Sequence, residues 1–243
     1  MSSGSAFGII GNGSWATALA KILTDNRHPI NWWIRNTESI EHFKRHHHNP
    51  HYLSTAGFDI SLLNMSASVK EVVSQSNVIV VAVPSAYAED ALKELSPEDW
   101  AEKKVISAIK GLLPDRNILL NYYLQEKFAV PLENYFAVLG PCHAEEVAAE
   151  KLSYLTFSGV DTDTASELAV HFTTSYINTI VNHDILGVQY AAVLKNIYAL
   201  GAGIAKWPAR MMRVGSTGAR RKRPTPINPH GVRPKSRAAR AEW

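Results

Sequence analysis

Phe7-Gly-Ile-Ile-Gly11-Asn-Gly-Ser-Trp-Ala16-Thr-Ala-Leu-Ala20-Lys-Ile-Leu-Thr24 sets a short apolar run, a glycine-bearing turn and an amphipathic stretch in direct succession. Residues 7–10 read as a buried strand, and 14–24 as a helix with apolar positions at Trp15, Ala18, Leu19 and Ile22. A further apolar run at 30–34 completes a βαβ unit. Between strand and helix, Gly11-Asn-Gly-Ser-Trp-Ala16 fits the pattern G-x-G-x-x-G/A. Gly11 permits the tight turn and Gly13 lets backbone approach a pyrophosphate. Ala16 is small enough for the helix to pack on a sheet, and the free N–H groups of the helix start face the anion. The turn is therefore read as the phosphate site of a dinucleotide.

The alternation continues along the chain. Further buried strands are expected at 78–83, 105–109, 135–139, 154–157 and 176–181, with helices at 69–74, 86–95, 117–127, 144–150 and 164–172. Pro84, Pro97, Pro114 and Pro131 fall between these elements, as their missing N–H requires. The fold class is α/β, a Rossmann-like dinucleotide-binding domain with a mostly parallel sheet over 1–182. Residues 184–205 differ, forming one long, mostly apolar helix with small residues at Ala191, Ala192, Ala199, Gly201, Ala202 and Gly203. It reads as the first helix, 183–205, of a truncated all-α domain, buried against further helices or another subunit, which makes a homodimer one candidate assembly.

Composition bounds the remainder. A 243-residue chain that is 46% hydrophobic has ample material for a core. Its single cysteine, Cys142, excludes an intramolecular disulfide, and 1–6 lacks the basic start and apolar run of a signal peptide. No apolar run approaches the roughly 20 residues of a membrane span, so a cytoplasmic location without a membrane partner is expected. The net charge of +3 hides two unlike parts: 1–205 carries 14 Lys and Arg against 21 Asp and Glu, a balance of −7, and 206–243 carries 11 against 1, a balance of +10. The basic part holds five of the 12 prolines and no Leu, Phe or Tyr. It is expected to be disordered. Nucleic-acid binding by this tail is disfavoured, because no folded motif or interleaved aromatics would read bases.

Three basic residues suggest what is bound and moved. Arg35 stands 24 residues past Gly11, where an NAD-specific protein usually carries an acid for the ribose 2′-hydroxyl. A guanidinium there suits the 2′-phosphate of NADP and still tolerates NAD by stacking on adenine. Glu38 nearby pulls the other way. Lys110 follows a strand at the carboxyl edge of the sheet, where open α/β folds place ligands. Lys195 lies in Ala191-Ala-Val-Leu-Lys195-Asn-Ile-Tyr-Ala-Leu200. Burial among those apolar residues would lower its pKa and suit it to proton transfer near neutral pH.

Five ordered motifs carry a family resemblance: Gly11-Asn-Gly-Ser-Trp-Ala-Thr-Ala-Leu-Ala20, Val83-Pro-Ser85, Ile109-Lys-Gly-Leu112, Gly140-Pro-Cys-His-Ala-Glu-Glu-Val147 and Leu194-Lys-Asn196. Over 6–205 the chain resembles bacterial NAD(P)-dependent glycerol-3-phosphate dehydrogenase. The resemblance implies Ser14, Trp15, Arg35 and Ala144 at the dinucleotide, Lys110 at both cofactor and substrate, and Gly140, Cys142 and Asn196 at the substrate. Lys195 matches the family's proton donor and acceptor. The implied chemistry is reversible hydride transfer between NADPH, or NADH, and carbon 2 of dihydroxyacetone phosphate, giving sn-glycerol 3-phosphate for glycerophospholipid synthesis.

The chain also departs from that family. Ala16 stands where glycine is more frequent, harmlessly by the packing argument. Cys142 stands where a hydroxyl residue is usual, and a thiol is the weaker donor. The family's helical domain, with an Asp and a Ser/Thr-Arg-Asn motif completing the substrate site, has no counterpart in 206–243. That tail is read as disordered or as the product of a frameshift, which leaves a non-catalytic dinucleotide-binding fragment as the alternative function. His46-His47-His48 with His51 is read as a solvated loop and not as a metal site, because consecutive histidines point in different directions.

Overall fold

Alternate residues of the apolar runs face opposite sides of one sheet, so that Phe7, Ile9, Val78 and Val80 enter one core while Ile10, Ile79 and Val81 enter another. A sheet buried on both faces needs helices on both, and the chain supplies them between strands. A computed structural model of the chain describes residues 6–216, with the side chains of Asn196 and of 206–216 outside that description. In order the strands and α-helices are β1 Phe7–Ile10, α1 Ser14–Asp25, β2 Ile30–Trp33, α2 Thr37–His46, β3 Leu63–Ser66, α3 Val69–Ser74, β4 Val78–Val81, α4 Ala88–Leu92, β5 Lys104–Ser107, α5 Leu120–Phe128, β6 Tyr135–Leu139, α6 Ala144–Ala148, β7 Ser153–Ser158, α7 Thr162–Val170, β8 Ile177–Asn182 and α8 Ile185–Ser216.

The strands hydrogen-bond in the order β3-β2-β1-β4-β5-β6-β7-β8. All neighbours are parallel except β6 and β7, where Leu139 faces Thr156 across an antiparallel pair. The chain winds outward from β1 through β2 to β3 and then returns to β4 on the other side of β1. That reversal opens a crevice at the carboxyl ends of β1 and β4, the place where open α/β sheets take ligands.

Reversal at β7 has a second effect. Because β8 runs parallel to β7, the chain leaves the sheet at the edge opposite the crevice, and α8 climbs back toward it. Its first turns are fastened by Gln189, 5% exposed, which accepts the Tyr135 hydroxyl at 2.8 Å and donates to Asn121 Oδ1. Ten residues of helix rise about 15 Å, close to the length of a five-residue strand. Lys195 thus arrives beside Leu139 and Gly140 at the top of β6. This docking places the first turns of α8, through Tyr198, in one compact unit with the sheet.

Other differences have local causes. The sequence reading omits α2 and β3. In α2 only Ser39, Ile40 and Phe43 are buried, and β3 is a four-residue edge strand with no buried position. The histidine run is not simply a loop: His46 ends α2 and His47 caps it in the left-handed region at φ 60°. Among the described residues no group of His, Cys, Asp and Glu is arranged to hold a metal. The last helix passes the expected end at 205 and reaches Ser216; residues 217–243, most of the basic tail, lie outside the described residues. Contrary to the expected absence of any span-length apolar stretch, Ile185–Ala205 is long and apolar enough to cross a membrane by length and composition alone. Within this chain Leu186, Tyr190, Leu194 and Ile197 of that helix are exposed.

At the foot of the sheet, His171 and His28 meet with 3.1 Å between Nδ1 and Nε2, packed around Phe7. Burial pushes both imidazoles below the ordinary 6.5, and the second ring adds to the effect on His28. Only one of two nitrogens sharing a hydrogen bond can carry the proton. Their contribution to stability is therefore complete above pH 6.5 and is lost as pH falls through the depressed values. Chemical denaturation between about pH 7 and about pH 5 is expected to show an acid-side loss of stability that His171→Leu flattens.

Candidate functional site

Three carbonyls of the turn after β1 are held from behind. The indole of Trp32, fully buried on β2, donates to Gly11 O at 2.6 Å. Asn49 Nδ2, also fully buried, donates to Asn12 O at 3.0 Å and to Thr17 Oγ1 at 2.8 Å. Thr17 in turn donates its backbone N–H and its hydroxyl to Gly13 O, each at 2.9 Å. A peptide whose carbonyl is tied back presents its N–H forward. Gly13 is the N-cap of α1 without a side-chain cap, so the first amides of that helix have no partner of their own. The result is a ring of donors at the positive end of a helix dipole.

Glycine is required at one of these positions and leaves room at another. Gly11 has φ +122°, and a Cβ there would lie 2.5 Å from Ala82 O after β4. At Gly13 an added Cβ would meet nothing within 4 Å, which is the open space an approaching phosphate needs. Trp15 Nε1 is buried with no hydrogen-bond partner. Ala16 is fully buried under the helix, consistent with its small size. Free amides, open space and an unsatisfied indole fit a dinucleotide.

Beside the turn lies a cleft of about 220 Å³ whose walls include Arg35, Tyr52, Tyr87 and Asp90. Arg35 sits just past β2 and reaches Asp90 at 3.6 Å. Glu38, the acid that the sequence reading sets against Arg35, instead donates its backbone N–H to the Asn36 cap. Sequence reasoning misses Asn49, Trp32 and Asp90, because their partners are brought near only by folding.

A second cleft, about 270 Å³, brings Lys110 and Lys195 together with Gly140, Pro141, Thr156 and Ala192. Lys110 Nζ also lies 4.6 Å from the centre of the Trp15 ring, linking this cleft to the turn. Crowding around its ammonium pushes the Lys110 pKa down, and the Lys195 charge acts in the same direction, while Cys142 opposes it. Gly140 is a glycine because a Cβ would collide with the Tyr154 carbonyl of β7. Cys142 does not line the cleft: it is 1% exposed, and burial pushes its thiol pKa up. Ala144 starts α6 and is buried. Asn196 follows Lys195 on α8, its side chain outside the described residues.

Lys195 corrects one expectation. It is exposed, not buried among apolar neighbours. Those neighbours in sequence lie around the helix, and several of them face solvent themselves.

A doubly wound sheet with this turn and crevice defines a dinucleotide-binding protein. Residues 6–165 match the family model for NAD-dependent glycerol-3-phosphate dehydrogenase N-terminus, and the chain belongs to that family. It is 31% identical over 202 residues to glycerol-3-phosphate dehydrogenase (NAD(P)+) of Lacticaseibacillus casei strain BL23, covering 80% of this chain and 58% of that one. The Streptococcus pneumoniae Hungary19A-6 enzyme of the same name is 32% identical over 199 residues, with the same coverage. The chain thus spans little more than half the length of these relatives. Among solved structures, glycerol-3-phosphate dehydrogenase of Coxiella burnetii superposes with a TM-score of 0.75 at 23% identity, over 83% of this chain and 61% of that chain.

The buried carboxamide of Asn49 generates a prediction. Asn49→Ala leaves Asn12 O, Thr17 Oγ1 and the His51 and Tyr52 amides without their partner. It is expected to cost about 1–3 kcal/mol in chemical denaturation and to weaken dinucleotide binding measured by calorimetry.

Proposed function

We propose that this chain supplies the cofactor-binding part, and the lysine pair, of a dehydrogenase interconverting sn-glycerol 3-phosphate and dihydroxyacetone phosphate. The observation that carries this reading is the meeting of Lys110 and Lys195 in one mostly apolar cleft next to the turn. Two ammonium groups in such a cleft suit a small anion, and the phosphate ester supplies one.

Gly11, Gly13, Ser14, Trp15 and Ala16 would hold the pyrophosphate, with Ala144 beside the cofactor and Arg35 at its adenosine end, where NADP is favoured over NAD. When bound, the nicotinamide supplies or accepts the hydride at carbon 2. Lys110 orients the phosphate ester while Gly140 forms part of the wall beside it, Cys142 packs behind that wall without reaching the cleft surface, and Asn196 adds a contact from α8. Lys195 holds the proton that the developing alkoxide at carbon 2 takes up, and recovers it in the reverse direction. The charge of Lys195 also stabilises that alkoxide before transfer.

The product suits glycerophospholipid synthesis, and the proposed setting is the cytoplasm with a small-molecule substrate and without nucleic acid or membrane as partner. The exposed stripe of α8 supports a homodimer or a helical cover.

A second reading is a dinucleotide binder without turnover. It is favoured by the exposure of Lys195, since a proton donor open to water lacks the dry surroundings that strengthen its charge.

An assay with dihydroxyacetone phosphate and NADPH separates the two readings through loss of the reduced cofactor's near-ultraviolet absorbance. Under the first, Lys195→Met lowers the rate by a factor on the order of 10² or more with cofactor affinity unchanged. Binding with no turnover in the wild-type chain would select the second.

A further inference from the structure

The adenosine end of the cleft contains a carboxylate that the strand-end position itself lacks. Asp90, on α4, is carried there by the return of the chain through β4, 55 residues beyond Arg35. Its Oδ2 lies 3.6 Å from the Arg35 guanidinium, and its Oδ1 accepts from Lys93 at 2.8 Å. These cations hold its carboxyl below the usual carboxylate range, Lys93 more than Arg35. Arg35 and Asp90 both line the cleft beside the turn. Arg35 also lines an adjoining hollow with Asn36, Thr37 and His51. The guanidinium therefore stands between an acid on one side and an open, donor-rich space on the other.

We propose that Asp90 is a specificity-determining residue that keeps NAD usable beside NADP, an inference resting on the dinucleotide-binding reading above. With NADP, the 2′-phosphate competes with Asp90 for Arg35 and is repelled by the carboxylate. With NAD, the same carboxylate offers a ribose hydroxyl the acceptor that the end of β2 does not provide. The pair is well placed for such competition. At 3.6 Å it is looser than a direct charge-assisted hydrogen bond, and both side chains are substantially exposed, at 73% and 47%. A dianionic phosphate can displace so weak a partner.

The test is the ratio of NADPH to NADH affinity, measured by nucleotide fluorescence or calorimetry on the full chain. Asp90→Asn is expected to tighten NADPH by about two- to fivefold and to leave NADH unchanged or weaker. Arg35→Ala should weaken NADPH, and in its background Asp90→Asn should keep only the part of its effect that comes from direct repulsion of the 2′-phosphate. The gain should shrink at high salt. Glu38→Gln, altering an acid that does not pair with Arg35, should leave the ratio alone. A ratio unchanged by Asp90→Asn in a chain that binds both nucleotides overturns this proposal and leaves the dinucleotide site standing. If the wild-type chain binds neither nucleotide, both readings fall.

Discussion

A turn that offers its backbone amides to an anion depends on the direction in which those amides point, and here that direction is imposed by what happens to the carbonyls. Trp32 holds Gly11 O, Asn49 holds Asn12 O and Thr17 holds Gly13 O. The three side chains come from a strand, a loop and a helix, so the turn is set only when β2, α1 and the segment after α2 are all in place. Each bond satisfies a polar group in the interior and orients a peptide at the surface. Preorganisation of this kind removes the reorientation that binding would otherwise require.

The lysine cleft has the opposite character. Its two ammonium groups share a space with apolar walls, and the downward shift of Lys110 records mainly the loss of water around its ammonium, with the Lys195 charge a smaller addition. An anion between the lysines reverses that balance, because it shields one from the other and replaces lost water. The turn and the cleft meet through the contact of Lys110 with the Trp15 ring, so a group bound at one bears directly on the wall of the other.

Much of this could be read from the chain. Strands β1, β4 and β6 are buried at every position, and a run of unbroken apolar residues between turn signals announces that state. The turn was legible because its backbone demands glycine at Gly11 and a small residue at Ala16. By contrast β3, an edge strand reading Leu-Asn-Met-Ser, leaves no pattern, and α2 has too few apolar positions to declare itself. Asn49 and Asp90 were invisible for another reason: an asparagine and an aspartate on polar stretches look solvated until distant carbonyls and guanidinium groups are brought to them. The apolar neighbours of Lys195 in sequence are not its neighbours in space. A helix spreads them around its circumference, and burial needs another surface to cover them.

The antiparallel seam between β6 and β7 turns α8 into a measuring rod. Its zero point is Gln189, locked to Tyr135 and Asn121 at the foot of β6, and Lys195 marks a height along it. Each residue inserted between the two would advance the lysine about 1.5 Å and swing it about 100° around the axis, out of the cleft. The height of the lysine is therefore set by the number of residues between it and Gln189. The reach of Lys195 into the cleft is in that sense a matter of counting residues along one helix.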